Sequence, residues 1–428
     1  MTSTPAQPHR SEAGGDPMRV AVVATAFPVP SETFVIHHVR GLIERGHRVD
    51  VVADPIPPSP GAAAEVHDVA DLEARIYRRR ALPSSLARRI PAAIDLVRTA
   101  PDRRAALRCL LPARRDLTGS ARGTLGGRLL HAAAAWRSLP PPEVVLCHFG
   151  MNGAEAVALR DRGVIPPVPI VTVFHGYDAT VLPAAGAVDY TDLFARGDRF
   201  TANTQFLRDR LIDLGCPADR ISILRMGVSL SEDRPALREP GEPLRLVTVA
   251  RLSEEKGVLY GIAAVARLRA GGVDLHWDLI GDGPDRPLVE RALRDAGLEG
   301  VVTLHGWLSE PDVHRALARA HVYLAPNIVA TSGRVETQGV ALQEALTAAL
   351  PVVSTTVGGI PEGVLDGENA LLVAPRNPEA LATSLASLAA DEPRRRAMGL
   401  AGREFARHYD LDLANDALVT ILRNETAT

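Results

Sequence analysis

Two cations stand five residues apart near the middle of the chain. Arg251 closes the apolar run Leu244 to Ala250, and Lys256 follows across Leu252, Ser253, Glu254 and Glu255. A guanidinium, an ammonium and the free backbone N–H groups of a helix starting after Gly257 would converge on a phosphate or diphosphate. Lys256 is the one lysine among 48 cationic residues, so a compact ammonium occupies a single position in a chain that otherwise uses the planar fork. The plain alternative is two surface charges. Further on, Glu336 and Glu344 are separated by seven residues, the second within a stretch, Gln338 to Ala348, whose pattern predicts a helix preceded by an irregular loop. Helical throughout, the eight steps between them would span roughly 12 Å, about the reach from a ribose to a sugar across a diphosphate. Carboxylates accept hydrogen bonds from vicinal hydroxyls, so the two could hold both sugar-bearing ends of one nucleotide sugar. Two exposed helix glutamates are the alternative, weakened by the apolar surroundings of Val340, Leu342, Ala345 and Leu346.

Other candidates follow predicted strands. Gly358 and Gly359, after Thr355, permit positive φ and a close backbone approach to a ligand phosphate, although a tight turn explains them equally well. His175, Gly176, Tyr177 and Asp178 close another strand on the side where a cleft is expected. Ser31, Glu32 and Thr33 follow the first strand and open a helix, with an N-terminal cap as the alternative. Gly281-Asp282-Gly283 does not complete a dinucleotide fingerprint, which argues against a nicotinamide dehydrogenase. Asp410 to Asp412 reads as a helix cap rather than a metal site.

These residues need rigid elements behind them. With 428 residues and 46% hydrophobic content the chain can bury two cores. The first series of predicted strands runs Arg19 to Ala26, Arg48 to Val52, Glu143 to Phe149, Ile170 to His175, Arg199 to Asn203 and Ile221 to Met226. Helical patterns intervene, among them Glu32 to Arg45 and Phe206 to Leu214. Ser229 to Pro243 reads as a linker. A second series follows at Leu244 to Ala250, His276 to Ile280, Val302 to His305, Val322 to Ala325, Val352 to Thr355 and Leu371 to Val373. Alternation of strands and helices predicts an α/β protein of two Rossmann-like doubly wound domains facing across a cleft, where ligands bind at the strands' carboxyl ends. The expected layout is a disordered tail 1–17, a first domain 18–235 with an insertion at about 62–140, a second domain 236–408, and a terminal helix 409–428 crossing back to the first.

The insertion is Arg-rich. Arg75 to Arg137 carries 15 arginines against Asp95, Asp102 and Asp116, within a chain of net charge −3. Leu86, Ile90, Ile94 and Val97 recur at helical spacing beside Arg88, Arg89 and Arg98, predicting an amphipathic basic helix for an anionic membrane surface or a polyanionic acceptor. A solvated helical insertion is the alternative. The near-neutral total and scarcity of aromatics argue against nucleic acid. Cys109, Cys147 and Cys216 form neither a disulfide framework nor a zinc motif, and the polar N-terminus has no signal-peptide core. The expected location is the cytoplasm, with peripheral attachment at the inner membrane face.

Together these stretches resemble the family-4 retaining glycosyltransferases of the GT-B fold. ARLSEEKG (Ala250 to Gly257), LIGDGP (Leu279 to Pro284), LHGWLSEPDV (Leu304 to Val313), the block Glu336 to Val364 and FHGYD (Phe174 to Asp178) carry the resemblance. Ser31 to His47 and Arg225 to Leu230 look most like the branch that assembles exopolysaccharides of the colanic-acid type. The resemblance implies that Arg251 and Lys256 bind the donor diphosphate and stabilise its departure. It also implies that Glu344 holds the ribose, that Glu336 holds the transferred sugar, and that Gly339, Val340, Gly358 and Gly359 contact the donor. His175 would sit beside the reacting sugar, as a catalytic group with Arg251, Lys256 and Glu336. Ser31, Glu32, Thr33 and Asp178 are acceptor-side candidates. No metal or cofactor is implied, and the donor is a UDP- or GDP-sugar. The sequence departs from the family at Phe27 to Ser31, where many members have a Gly-Gly loop, and at Met226, where many have Asn. The acceptor is expected to be a polysaccharide or lipid-linked glycan, with a small natural-product, thiol or aminocyclitol acceptor as the alternative. A non-catalytic sugar-nucleotide binder is disfavoured because Lys256 and Glu336 are both present.

Overall fold

The computed structural model describes residues 16–29, 32–54, 72–79, 86–98, 100, 102–109, 125–231 and 241–427. Val/Leu/Ile-rich runs form two all-parallel sheets. The first contains β1 (Arg19–Ala26), β2 (Arg48–Asp54), β3 (Ile76–Arg78), β4 (Val144–His148), β5 (Ile170–Val173), β6 (Arg199–Ala202) and β7 (Ile221–Ile223), in the order β3-β2-β1-β4-β5-β6-β7. The second contains β8 (Leu244–Val249), β9 (Leu275–Ile280), β10 (Val302–Gly306), β11 (Val322–Ala325), β12 (Val352–Thr355) and β13 (Ala370–Val373), in the order β10-β9-β8-β11-β12-β13. Consecutive residues Val20, Ala21, Val22 and Val23 are all buried, because helices cover both faces of the sheet. In each sheet the strand order reverses beside the first strand, at β1/β4 and β8/β11, and a crevice opens there at the carboxyl ends.

Every strand predicted from sequence is present. Several end earlier than expected because their last residues turn into cleft loops: β5 stops before Phe174 and His175, and β7 before Leu224 to Met226. The short β3, inside the insertion, carries no sequence signal beyond one apolar–aromatic pair. The helix expected over Glu32 to Arg45 is Thr33–Glu44. That over Phe206 to Leu214 is Gln205–Asp213, where the Leu207 amide donates to the Thr204 hydroxyl cap.

The basic amphipathic helix exists as Leu86–Arg98, and of its predicted apolar face Val97 packs inward while Ile94 does not. Leu96 is buried with Ala93 and Val97 against the first core, whereas Ile94 is exposed. The side chains of Leu86, Arg88, Arg89 and Ile90, like residues 1–15, fall outside the described residues. Nor do the insertion's arginines all face solvent. Arg79 is buried, pairs with Glu155 at 3.1 Å and Asp54 at 3.2 Å, and donates to the Ala24 carbonyl at 3.0 Å and Asn152 Oδ1 at 3.2 Å. It thereby ties the end of β1 to the helix Gly150–Asp161. Arg78 donates to the Phe27 carbonyl at 2.6 Å and Arg108 to that of Arg162 at 2.9 Å.

The terminal helix Leu411–Thr426 lies on the first sheet, where Leu418, Val419 and Leu422 join Val20, Val22 and Leu146 in one core. Arg45 fixes it by donating to Asp416 at 2.6 Å and to the Asp412 carbonyl at 2.9 Å. Among the described residues no helix is long and apolar enough to cross a membrane.

Candidate functional site

On leaving β8 the chain passes Arg251 and forms a single 3₁₀ turn, Glu254–Lys256, before the helix Val258–Ala270. Gly257 joins the two at φ +61°, and a Cβ there would run into the Pro326 carbonyl, so the turn is closed to other residues. Of the three charges in this turn, two are structural. Glu254 accepts from the Thr331 amide at 3.0 Å and hydroxyl at 2.8 Å, and Glu255 accepts from the Ser253 hydroxyl at 2.7 Å. Lys256 reaches the same loop as Glu254 does, and there its ammonium donates to Glu336 Oε2.

Glu336 precedes the helix Val340–Thr347 rather than belonging to it, so Glu336 and Glu344 are not separated by eight helical steps. Gly339, at φ +77°, starts the helix two residues later than the sequence predicts. Burial would raise the Glu336 pKa, but the Lys256 ammonium and the N–H groups of Gly339 and Thr337, both at 3.2 Å from Oε1, outweigh it and hold the carboxyl below its ordinary value. Glu344 lies on the helix with no ion-pair partner among the described residues. Burial, and then the nearby Glu310 charge, push it up to about 7. Gly358 and Gly359 make their close approach to this same loop: the Gly359 amide donates to the Glu336 carbonyl at 3.0 Å, and a Cβ at Gly359 would meet the Thr337 carbonyl. Their small size is therefore required by packing that shapes the Glu336 loop. Arg251 is exposed and lines a cavity of about 530 Å³ with Asp282, Gly283, Pro284 and Trp307. The Trp307 indole is exposed there, at the start of the loop after β10.

The first domain supplies a different chemistry. His175 follows β5, and its Nε2 lies 3.0 Å from Nδ1 of the fully buried His148 at the end of β4. Phe34 and Phe149 pack on the His175 ring at centroid distances of 4.2 and 4.7 Å. Burial first, and then the neighbouring His38, hold the His175 imidazole well below its ordinary pKa, so it is neutral near pH 7.

Asp178, expected on the acceptor side, is instead enclosed. Its carboxylate accepts from the amides of Gly150 at 2.8 Å and of His175 and Gly176 at 3.0 Å. It ties the loops after β4 and β5 together, and burial raises its pKa to about 6 despite those three donors. Glu32 makes no capping bond to the helix Thr33–Glu44 that it precedes, and its Oε2 is buried without a partner among the described residues. Burial pushes it up to about 7. Thr33 is the first residue of that helix, and Ser31 lies outside the described residues.

The two halves meet through residues that carry no recognisable sequence signal. The Thr337 hydroxyl donates to the His175 carbonyl at 3.1 Å and accepts from the Asn203 amide at 3.2 Å. Gln338 pairs with the Met226 backbone in both directions, at 2.7 and 2.8 Å. Because residue 226 contributes only main-chain atoms to that contact, it does not require Asn there. Glu362 receives the amides of Gln205 and Phe206, both at 2.7 Å. The Arg334 guanidinium lies 4.7 Å from the centre of the Tyr177 ring. The three consecutive residues Glu336, Thr337 and Gln338 thus join the Lys256 pair to the loop that carries His175. Among the described residues no cluster of His, Cys, Asp or Glu is arranged to hold a metal ion.

Comparison with known proteins covers both halves. The family model described as Glycosyltransferase Family 4 matches residues 31–232, and that described as Glycosyl transferases group 1 matches residues 243–391. The putative colanic acid biosynthesis glycosyltransferase WcaL of Salmonella typhimurium is 31% identical over 396 residues, spanning 86% of this chain and 90% of its own. The amylovoran biosynthesis glycosyltransferase AmsK of Erwinia amylovora is 31% identical over 389 residues, spanning 88% and 91%. Among solved structures, the sucrose-phosphate synthase from Thermosynechococcus elongatus superposes with a TM-score of 0.70 at 18% identity over 96% of this chain and 99% of its own. HepE of Anabaena in complex with UDP-glucose superposes with a TM-score of 0.68 at 16% identity over 95% and 100%. At these identities the structural likeness is one of fold.

Proposed function

The chain belongs to the family 4 glycosyltransferases and, on that footing, we propose that it transfers a sugar from a UDP- or GDP-sugar to a polysaccharide or lipid-linked acceptor with retention of anomeric configuration. The observation that supports this most directly is the Lys256–Glu336 pair at the carboxyl end of the second sheet, one residue from the hydroxyl that grips the His175 loop. Arg251 and Lys256 take the donor diphosphate, and the ammonium exchanges part of its contact with Glu336 for phosphate oxygens. Glu336 then receives hydroxyls of the transferred sugar, and Glu344 those of the ribose. The exposed Trp307 indole beside Arg251 offers an apolar face to the base. The N–H groups around Gly339 and Val340 add positive potential at the helix start. Charge that builds on the departing diphosphate meets fixed cations in a pre-set geometry, the electrostatic effect that contributes most to reactions of this kind.

On the acceptor side, Glu32 and Thr33 stand at the opening of the helix whose Phe34 packs on His175. In the insertion, exposed Arg98, Arg103 and Arg104 accompany the exposed Ile94 and Leu107, a mixture of cations and apolar side chains suited to an anionic membrane or acceptor.

Thermal shift against a panel of nucleoside-diphosphate sugars, followed by product analysis with the best binder, tests the reading. Stabilisation by one donor class and formation of an α- or β-linked product matching the donor's anomer are expected. No stabilisation by any donor would overturn it. Flotation with anionic vesicles tests the acceptor side: a protein that stays in solution at low salt removes the membrane and favours a small soluble acceptor.

A further inference from the structure

We propose that His148 is a positioning residue for His175, fixing the orientation and the tautomer of that imidazole within a buried stack of histidines. The inference rests on the placement of His175 beside the reacting sugar. Three histidines from separate elements form the stack: His38 on the helix Thr33–Glu44, His148 at the end of β4, and His175 after β5. The His148 and His175 rings are nearly parallel, 10° apart with centroids 5.2 Å from each other, and His38 lies 5.2 Å beyond His148. His38 and His148 are buried almost completely.

Burial first, and then neighbouring histidines, His37 for His38, His38 and His175 for His148, and His38 for His175, keep all three imidazoles neutral near pH 7. A neutral imidazole has one donor and one acceptor nitrogen. The 3.0 Å contact between His148 Nδ1 and His175 Nε2 therefore uses one N–H and one lone pair, and the two rings cannot choose tautomers independently. If His148 Nδ1 donates, His175 must carry its proton on Nδ1. If His175 Nε2 donates, its Nδ1 is a bare acceptor. Either way His148 decides whether His175 offers a donor or an acceptor from its remaining nitrogen.

Two further features mark the stack as a built arrangement. His148 Nε2, His175 Nδ1 and His38 Nδ1 are all buried with no partner among the described residues, an uncommon and costly state for polar atoms that only pack. Phe149, next to His148, adopts φ +71°, a conformation that is a genuine outlier for a bulky residue, and its ring lies against His175.

The test compares His148→Phe, which keeps a ring and removes the nitrogen, with His148→Asn, whose amide can occupy the place of Nδ1, and with His175→Ala. His148→Phe should lower kcat on the order of 10- to 100-fold, the effect of removing a group that orients a functional imidazole, with donor KM unchanged. His148→Asn should recover most of the loss. Nitrogen chemical shifts of labelled histidine should show His175 as a single neutral tautomer at pH 7 in the unmodified protein and as a mixture in His148→Phe. A mixture or an imidazolium at His175 in the unmodified protein overturns the proposal, whatever the variants do. So does an unchanged kcat in a folded His148→Phe variant when His175→Ala is crippled. An active His175→Ala variant would instead remove the role of His175 itself.

Discussion

The donor half and the acceptor half of the cleft solve the same placement problem with opposite materials. In the second domain the groups assigned to the donor are long charged side chains: Lys256 and Glu336 pair from two loops, and Arg251 stands exposed at the cavity beside Trp307. In the first, they are neutral or enclosed: a histidine stack and Asp178, whose carboxylate is consumed by three backbone amides. A site that must take a diphosphate needs standing charge, and charge is tolerable only near water or opposite its counter-ion. A site beside a reacting sugar needs fixed direction, which burial supplies at the expense of charge.

Removing the cation should expose that contrast most strongly. On the proposed roles Lys256→Ala takes away both a diphosphate contact and the partner of Glu336, and kcat for transfer should fall about 10²- to 10³-fold, with Glu336 now titrating higher for want of its ammonium. Sugar transfer measured at saturating donor checks this, and a rate within a few-fold of the parent would remove Lys256 from the mechanism. The matching change in the other half acts on stability. Asp178→Ala leaves the buried amides of Gly150, His175 and Gly176 without an acceptor. A loss of about 3 kcal/mol is expected, seen as a Tm lower by about 5–10 °C. The additional stabilisation given by the donor should survive, because the donor residues lie on the other sheet. If Asp178→Ala abolished donor stabilisation while leaving Tm intact, the division between the halves would be wrong.

That division also explains what could be read from sequence. Strands buried on both faces announce themselves as Val/Leu/Ile runs, so every strand but the short β3 was legible, and Lys256 and Glu336 stood out as charges, although the helical spacing expected between Glu336 and Glu344 is broken at Gly339. His148 was not, because a histidine ending the run Val144 to Cys147 looks like any strand end; only the structure brings it to a residue 27 positions away. Asp178 was misplaced for a related reason: a carboxylate beside a histidine reads the same whether it faces a ligand or closes on its own backbone. The insertion's charge was legible as a total, yet Arg79 shows that a cation in a basic run can be a buried tie. Thr337 and Gln338 sat inside the recognised block, but nothing in a single chain says which neighbours of a functional glutamate reach the opposite domain.

Thr337 is where the two halves can be uncoupled with least disturbance. Thr337→Val keeps the shape and removes the hydroxyl that holds the His175 carbonyl and the Asn203 amide. One such bond is worth about 1 kcal/mol, so kcat should drop about fivefold. Thr337→Ser should restore it. Equal rates in Val and Ser variants would mean that the contact only packs.

The smallest effect expected is a shift of a pH limb. In its proposed role of accepting ribose hydroxyls Glu344 must be ionised, and its pKa is raised to about 7 by burial and then by Glu310. The carboxylate is lost as pH falls through that value, so kcat/KM for the donor, which reports groups of the free enzyme, should fall with it. Glu310→Gln removes the like charge and should move the limb downward by about half a unit. His37 also feels Glu310, which pulls its pKa up against a larger lowering by burial. The variant therefore only deepens its neutrality and adds no limb of its own. Glu32 offers the competing assignment, since it too is pushed up to about 7, by burial alone. The two separate cleanly: a limb that moves in Glu310→Gln and disappears in Glu344→Gln belongs to the donor half, whereas one that ignores both belongs to Glu32 and the acceptor half.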